Sequence, residues 1–229
     1  MIAIVDCGIG NLRSVCKAFE RVGHAAQITQ EADDIRRASA VVLPGQGAFR
    51  DCMAQLSDHD LLEPVLEFIR SGRPYLGICL GLQLLMTESE EFGCHTGMNI
   101  LQGRVRRFPY GLTDAHGNVL KVPHMGWNQA RFTRRPPIFD GIPEHAYFYF
   151  AHSFFVEPLS DAPVAATTDY GVRFVSSIWH DNMFGVQFHP EKSQTHGLRL
   201  LKNFGDLVRS QTPPPLPSAA QAGSMANTP

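Results

Sequence analysis

The sequence has little of what marks secreted, membrane or nucleic-acid-binding proteins. Its 229 residues include only five cysteines, an odd number that does not suggest a disulfide framework. The net charge is −2 and no basic run is present, so nothing favours binding to nucleic acid or to a membrane surface. We find no signal peptide and no apolar stretch long enough to span a bilayer. We therefore expect a cytoplasmic protein.

Metal and cofactor patterns are also lacking. Cys94 and His95 are adjacent instead of being spaced as zinc ligands are, and no second ligand pair follows them. Residues 8–13 begin like a dinucleotide-binding fingerprint, but Arg13 stands where the third glycine belongs. We predict no metal and no cofactor, and we interpret this segment as the first β–α turn, with Asn11 as a cap or contact residue at the helix start.

Apolar runs alternate with helical patterns in the first half, which predicts an α/β fold with a mostly parallel sheet flanked by helices. The predicted strands are 2–6, 25–29, 40–43 and 75–79, and the predicted helices are 11–22, 61–71 and 80–88. The second half has short aromatic strands that predict antiparallel pairing. They lie at 119–122, 146–150, 164–167 and 175–179, with turns at 116–118 and 181–182. A last helix over 195–210 should pack against the sheet.

Composition divides the chain into two parts. Residues 1–210 are long enough to bury a core as one domain in a chain that is 44% hydrophobic. Residues 211–229 are rich in proline, alanine and serine and contain no charged residue and no periodic apolar pattern. We predict a disordered tail there, with a polyproline recognition segment as the less favoured alternative.

The sequence around Cys79 is typical of a nucleophile elbow, a tight corner between a strand and a helix. Gly77 and Gly81 stand two residues to either side and remove the Cβ clashes that such a corner creates. We predict that the sulfur is exposed there and that the helix N-terminus favours the reactive thiolate. A lone cysteine is more often buried core, but the glycines and the strand–helix transition favour the nucleophile here. The remaining cysteines are interpreted as core or incidental: Cys7, Cys16, Cys52 and Cys94.

A candidate base and its partner lie far downstream of Cys79. His189 follows the apolar run 183–187, and Pro190 keeps it extended. At a spacing of two, His189 and Glu191 can project to the same side. The carboxylate can then hold one imidazole nitrogen while the other faces the sulfur. The sequence thus predicts a nucleophile, a base and an orienting acid.

Residues 44–49 form a glycine-rich turn after the predicted strand 40–43. The backbone N–H groups of this turn have little side-chain cover and can donate to an oxyanion. In an elbow the other donor is the N–H of the residue after the nucleophile. We therefore assign the oxyanion hole to Gln46 and Leu80. Losing one such donor costs enzymes about 3–4 kcal/mol of transition-state stabilisation.

These motifs and their order resemble the class I (triad) glutamine amidotransferases. The resemblance covers residues 1 to about 209 and rests on the elbow, the His-Pro-Glu segment and the Pro-Gly-x-Gly turn. Three segments are more narrowly similar to the branch of the family that serves a separate cyclase subunit in histidine biosynthesis. They are 6–12, 123–128 and 189–193, and the Pro-His-Met-Gly-Trp-Asn segment at 123–128 is the most specific of them.

The resemblance implies a glutaminase that hydrolyses glutamine to glutamate and ammonia through a thioester on Cys79. The ammonia would pass to a (β/α)8-barrel cyclase within a heterodimer. Residues that match the family's glutamine-binding positions are Gly47, Gln83 and Glu91, with Ser153 as a further contact. Residues that match positions facing the cyclase and the ammonia exit are Asn11, Trp127 and Lys192.

For three of these residues the sequence also allows a simpler structural interpretation. Gln83 could be a solvated helix residue, Glu91 one member of an acidic surface run, and Trp127 an ordinary core aromatic. Two other positions depart from the family pattern, with Gln46 replacing an aliphatic residue and Cys7 a tyrosine. In such relatives the oxyanion loop can need a peptide flip that is triggered by ligand in the partner. We hypothesise that the free chain has low glutaminase activity.

Three other functions compete with this interpretation. One is a free-standing hydrolase on the same triad, such as a γ-glutamyl hydrolase or a cysteine peptidase. Another is a non-catalytic binding subunit, which would have no need of Cys79, His189 and Glu191 together. The third is an amidotransferase that serves another acceptor, sharing the glutamine chemistry and differing only in its partner.

Overall fold

A computed structural model describes residues 1–8 and 10–211. The first half alternates strands and helices, as the sequence predicts. Its elements are β1 (Ile2–Val5), α1 (Leu12–Arg21), β2 (Ala26–Thr29), α2 (Ala32–Arg37), β3 (Ala40–Gly45), α3 (Phe49–Asp58), α4 (Leu62–Arg70), β4 (Tyr75–Cys79) and α5 (Leu80–Gln83). Helices α2 and α3 were not predicted, because α2 is only six residues long and α3 has a mixed polar pattern.

The second half is mostly β structure and ends in a long helix. Its strands are β5 (Met86–Ser89), β6 (His95–Thr96), β7 (Leu101–Arg107), β8 (His124–Gln129), β9 (Arg131–Phe132), β10 (Tyr147–His152), β11 (Phe154–Pro158), β12 (Val164–Tyr170), β13 (Val172–His180) and β14 (Met183–Val186). Short 3-10 helices cover Pro137–Phe139 and Pro190–Lys192, and α6 spans Gln194–Gln211. The predicted tail begins at the last residue of α6 and otherwise lies outside the described residues.

One twelve-stranded sheet organises the chain. Strands β2, β1, β3, β4 and β14 are parallel neighbours in that order, and β13, β11 and β7 continue the sheet with antiparallel pairing. Strands β8 and β10 form a separate antiparallel pair. The predicted class, a mostly parallel sheet with helices and added antiparallel strands, is therefore confirmed.

Two hydrophobic clusters cover the two faces of the parallel strands. Alternate residues of β1 enter different clusters, Ile2 and Ile4 on one side and Ala3 and Val5 on the other, as strand geometry requires. Helices α1 and α6 close the first side with residues such as Phe19 and Phe204, and α3 and α4 close the second with residues such as Phe49 and Phe68. The carboxyl ends of the parallel strands are left open for a site.

Two predicted elements are wrong. The helix over 80–88 ends at Gln83 and is followed by strand β5, because the carbonyls of Leu84 and Leu85 accept hydrogen bonds from residues 98, 100 and 101 instead of continuing a helix. A short buried apolar run fits either element, so periodicity could not decide. The strand over 119–122 is absent from the described fold, where Val119 is 75% exposed and forms only an isolated bridge with Thr113.

No helix among the described residues is both long enough and apolar enough to cross a lipid bilayer.

Candidate active site

The chain makes a tight, strained corner at Cys79, where β4 meets α5. Cys79 has φ +54°, in the left-handed region that non-glycine residues rarely adopt. A methyl group at Gly81 would overlap the carbonyl of Leu43, and one at Gly77 would lie 2.5 Å from the carbonyl oxygen of Gly81. Both glycines are therefore needed for the strand, the corner and β3 to pack together, which confirms the predicted corner.

The glycine-rich turn lies beside this corner because β3 and β4 are parallel neighbours. Gly45 at the end of β3 is paired with Cys79. A Cβ atom on Gly45 would lie 2.8 Å from the Cβ of Leu80, so the two backbones approach closely. Gln46 and Gly47 follow directly and line the same cavity as Cys79 and Leu80. Sheet register thus brings the two predicted oxyanion segments together.

His189 and Glu191 form a buried pair on the other side of Cys79. Nδ1 of His189 lies 2.9 Å from Oε1 of Glu191, and their side chains are 4% and 2% exposed. His189 is extended, as predicted, but Glu191 lies in a 3-10 turn instead of a continued extended segment. Burial alone lowers the pKa of His189. The negative charge of a Cys79 thiolate, a hydrogen bond to it and the Glu191 carboxylate outweigh burial and raise that pKa to about 10.

A cavity of about 360 Å³ opens over Cys79 and gathers most of the predicted site residues. They are Gln46, Gly47, Cys79, Leu80, Gln83, Glu91, Ser153, His189 and Lys192. Cys79 itself is 6% exposed, so the prediction of an exposed sulfur is wrong for bulk solvent. Cys79 lines the cavity, while β3 pairs with it and α5 follows it directly.

Gln83 and Glu91 are held by specific hydrogen bonds. Gln83 is 5% exposed, and its Nε2 donates to the carbonyl of Phe154 and to Oε1 of Gln187 at 2.9 and 3.2 Å. It is therefore not a solvated helix residue. Oε2 of Glu91 accepts a hydrogen bond from the backbone N–H of Phe49 at 2.6 Å. Burial raises the pKa of Glu91, the Phe49 hydrogen bond opposes that rise, and Asp51 adds to it.

The three residues expected to face a partner lie in different places. Lys192 lines the cavity, and its Nζ lies 5.9 Å from the ring centroid of Tyr149. Trp127 on β8 is 46% exposed and packs edge-to-face on Tyr149, so it is not an ordinary core aromatic. Asn11 immediately precedes α1 at the surface, makes no side-chain capping hydrogen bond and lines a separate depression.

Comparison with known proteins gives the family. The sequence profile described as "Glutamine amidotransferase class-I" matches residues 3–207. The chain belongs to this family. The amidotransferase is 57% identical over 207 residues to a protein of Syntrophotalea carbinolica named "Imidazole glycerol phosphate synthase subunit HisH", with 90% of this chain and 100% of that protein covered. A protein of the same name from Geobacter sulfurreducens is 52% identical over 206 residues, with 90% and 98% covered.

Solved structures agree with this fold. A putative GMP synthase protein from Thermoplasma acidophilum gives a TM-score of 0.67 at 21% identity, covering 91% of the amidotransferase and 94% of that chain. A structure described as a glutamine amidotransferase gives a TM-score of 0.69 at 17% identity, covering 91% and 98%. At these identities the likeness shows the fold alone.

Sequence reasoning missed a pair of buried histidines in this amidotransferase. Nδ1 of His124 lies 3.3 Å from Nε2 of His152, and Nδ1 of His152 lies 2.8 Å from the carbonyl oxygen of Phe154. Since that carbonyl only accepts, His152 carries its proton on Nδ1 and accepts from His124 through Nε2. Burial lowers the pKa of His124 to about 4. Burial, assisted by the charge of His124, lowers the pKa of His152 to about 3.

Gln187 is the other residue that was missed, and its amide Nε2 lies 3.5 Å from Sγ of Cys79. A signal was present, since Gln187 is the single polar residue in the apolar run 183–188. Within the part of the chain that the structure describes, no group of three His, Cys, Asp or Glu side chains could hold a metal ion. The polar side chains that line the cavity are a thiol, two imidazoles, one carboxylate, two amides, a hydroxyl and an ammonium group.

Proposed function

We propose that this amidotransferase is the glutaminase subunit of imidazole glycerol phosphate synthase. In this role Cys79 is the nucleophile, His189 the proton carrier and Glu191 the group that orients His189. The observation that carries the proposal is the strained Cys79 corner beside the buried His189–Glu191 pair. Such a constellation fits acyl transfer through a covalent intermediate. The HisH-named relatives, which match nearly their whole length, support the choice of enzyme.

The first half of the reaction forms a thioester. The Cys79 thiolate attacks the side-chain amide carbon of glutamine, and the carbonyl oxygen becomes an oxyanion. As the intermediate collapses, the C–N bond breaks and Nε2 of protonated His189 gives its proton to the leaving nitrogen, which departs as ammonia. The raised pKa of His189 keeps this proton available at neutral pH.

The second half hydrolyses the thioester. Neutral His189 takes a proton from water through Nε2, and the hydroxide attacks the thioester carbon. When the C–S bond breaks, glutamate leaves and the thiolate–imidazolium pair is restored. The oxyanion of each half would be bound by the backbone N–H groups at Gln46 and Leu80, which the register of β3 and β4 brings to the same cavity.

Glutamine would be bound by the remaining cavity residues. The Glu91 carboxylate suits the α-ammonium group of the substrate, because opposite charges pair well in a half-buried site. Both amide hydrogens of Gln83 are occupied, so it would contact glutamine through its oxygen. The backbone at Gly47 and the side chain of Ser153 complete the proposed substrate site.

Ammonia would leave toward a (β/α)8-barrel cyclase, in a cytoplasmic heterodimer that makes imidazole glycerol phosphate and an aminoimidazole carboxamide ribonucleotide for histidine biosynthesis. Met125, Trp127 and Tyr147 are 64%, 46% and 52% exposed, an unusual density of large apolar side chains that suits a partner surface. Lys192 connects the cavity to this side through its contact with Tyr149. Asn11 is proposed as a contact at the rim.

The test is glutamate release from glutamine by the chain alone and with a cyclase subunit that carries its nucleotide ligand. We expect strong stimulation by the loaded cyclase and none with Cys79→Ala. Substantial release without the cyclase would contradict low activity in the free chain and favour a free-standing hydrolase. No release despite confirmed binding would favour a non-catalytic subunit, and weak release that this cyclase does not stimulate would favour another acceptor.

The function is proposed to reside in residues 1–210. The family match over residues 3–207 supports this boundary. A chain that lacks residues 211–229 should release glutamate, with the loaded cyclase present, at the rate of the full chain. A large loss on deletion would contradict the proposal.

A further inference from the structure

Gln187 reaches the sulfur of Cys79 from a fully buried position. It follows β14 directly, it is 0% exposed, and its Nε2 lies 3.5 Å from Sγ. Nitrogen-to-sulfur hydrogen bonds are longer than those to oxygen because sulfur is larger, so this distance fits a bond. Cys79 therefore has an amide donor in addition to the imidazole of His189.

The surrounding hydrogen bonds fix which end of the Gln187 amide faces the sulfur. The carbonyl of Phe154 can only accept, so the Gln83 atom 2.9 Å away is the amide nitrogen. That nitrogen has a second hydrogen, which it donates to Gln187 at 3.2 Å, so the receiving atom of Gln187 is Oε1. The remaining end of Gln187, its NH2 group, is thereby directed at Cys79.

The short helix after Cys79 explains why such a donor is needed. A long helix would present a positive dipole end to the thiolate, but α5 contains only four residues. A thiolate in a cavity where Cys79 is 6% exposed has also lost most of its water. A buried anion without hydrogen-bond donors is costly, and Gln187 supplies one from a side chain that packing holds in place.

We propose that Gln187 holds and stabilises the Cys79 thiolate through its amide N–H, both before attack on glutamine and when the thioester breaks. The proposal deepens the proposed function and rests on Cys79 as its nucleophile. Loss of the donor should lower the fraction of thiolate without removing the thiol, the imidazole or the substrate site. Gln187 is in this sense a positioning residue for the nucleophile.

The test compares Gln187→Met with wild type in the full-length chain. Methionine matches the size of glutamine and cannot donate to sulfur. The rate of alkylation of Cys79 by iodoacetamide is measured from pH 5 to 10, together with thiolate absorbance in the ultraviolet. We expect alkylation at neutral pH to slow by about tenfold or more, since one pKa unit corresponds to a tenfold change in thiolate fraction. With the loaded cyclase, kcat should fall while KM for glutamine stays near the wild-type value.

Two variants separate the sulfur contact from general packing. Ser177→Ala removes a buried hydrogen bond to the carbonyl of Gly185 in β14 but leaves the Gln187 amide and its partners in place, and it should keep the alkylation profile within about twofold of wild type. Gln102→Met, at an exposed position of β7, should change nothing. The other titratable groups at the cavity, His152, His189, Glu91 and Lys192, are left unchanged.

An unchanged alkylation profile in Gln187→Met would overturn the proposal, and so would an equal shift in Ser177→Ala. Thermal unfolding verifies that each variant is folded. If Gln187→Met fails to fold, Gln187→Leu takes its place, because leucine also lacks a donor for the sulfur and adds no charge beside it. Alkylation does not depend on glutamine turnover. It therefore decides this proposal even if the wild-type chain releases no glutamate, which would instead refute the proposed function.

Discussion

The carboxylate of Glu91 accepts a hydrogen bond of 2.6 Å from the backbone N–H of Phe49, the first residue of α3. Phe49 is the last residue of the glycine-rich turn 44–49, so the hydrogen bond connects Glu91, which follows β5, to the end of the proposed oxyanion loop. The same carboxylate lines the cavity. Glu91 therefore has two separable tasks, one structural and one toward substrate.

Glu91→Gln should separate these tasks. The amide oxygen can still accept from Phe49, but the negative charge is lost. A hydrogen bond to a charged group contributes about 1.5–3 kcal/mol, so KM for glutamine should rise about tenfold to a hundredfold while kcat changes little. Steady-state glutaminase kinetics with the loaded cyclase measure both.

A neighbouring glutamate provides the control for this experiment. Oε1 of Glu90 accepts a similar 2.6 Å hydrogen bond from the backbone N–H of Arg107, and Glu90 does not line the cavity. Glu90→Gln should leave KM unchanged. A fall in kcat at constant KM in Glu91→Gln would show that its charge positions the loop and does not bind glutamine.

Gly81→Ala should strongly destabilise the fold. The added methyl group meets the backbone carbonyl of Leu43 in β3, and neither strand nor corner can move away without breaking the sheet. Overpacking of a core costs about 1–3 kcal/mol even where side chains can adjust, so a larger loss is expected against backbone. We expect insoluble protein or a Tm lowered by more than about 10 °C, since 1 kcal/mol shifts Tm by about 2–4 °C at this size.

Gly117→Ala is the control without a close contact, because nothing lies within 4 Å of its Cβ position; unlike Gly81, Gly117 has a positive φ of +83°. The stability loss of Gly117→Ala measures only the free energy of placing an alanine in the left-handed conformation, about 1–2 kcal/mol. Equal Tm losses in the two variants, measured by thermal unfolding, would contradict the claim that close backbone contact requires Gly81.

Local patterns predicted the features of the site that depend on local geometry. The glycines around Cys79 and the proline after His189 restrict the backbone near them, so the corner and the extended histidine could be read from a few residues and are confirmed. The roles of these residues in catalysis remain predictions. The family, read from the same motifs, is confirmed by the profile match.

Contacts that depend on distant segments could not be read in this way. The end of α5 at Gln83 depends on hydrogen bonds to residues 98–101, and β5 forms because β7 lies beside it. The pairing of His124 with His152 depends on the register of β8 and β10. That register cannot be predicted from the presence of a histidine in each strand. Pairing between segments that are distant in the chain determines these features, and the periodicity of one segment does not reveal that pairing.

Selective alkylation should distinguish Cys79 from the other cysteines. Cys7 and Cys52 are both 0% exposed, with their sulfurs 3.1 Å apart. The hydrogen bond to Cys7, together with burial, raises the pKa of Cys52 far above its ordinary value. Iodoacetamide near neutral pH should therefore modify Cys79 through the cavity and leave this pair unmodified, as peptide mass spectrometry would show.

Loss of glutaminase activity should follow modification of Cys79 with the same rate constant, and glutamine should slow both. Exposed Cys94 can also be alkylated, so Cys94→Ser serves as the control and should inactivate at the wild-type rate. Inactivation that tracks Cys94, or labelling of Cys52 as fast as Cys79, would contradict the assignment of the nucleophile.

The buried pair of His124 and His152 should make stability depend on pH. Their pKa values are lowered to about 4 and about 3 in the fold, whereas an unfolded histidine titrates near 6.5. Between these values the unfolded chain binds more protons than the folded chain. The contribution of this pair to the free energy of unfolding is therefore fully present above pH 6.5 and falls as pH is lowered, by about 1.4 kcal/mol per pH unit for each such histidine.

His152→Asn removes one of these titrations and keeps a donor for the carbonyl of Phe154. Its stability at pH 8 can be lower because His124 loses an acceptor, but its decline between pH 6.5 and 4 should be shallower by about one proton. His116→Asn, at an exposed position, should follow the wild-type slope. Urea unfolding at several pH values measures the slopes. If the free energy of unfolding depends on pH equally in His152→Asn and wild type, His152 is protonated equally in the folded and the unfolded chain. Only a difference in proton binding between the two states makes the free energy of unfolding depend on pH.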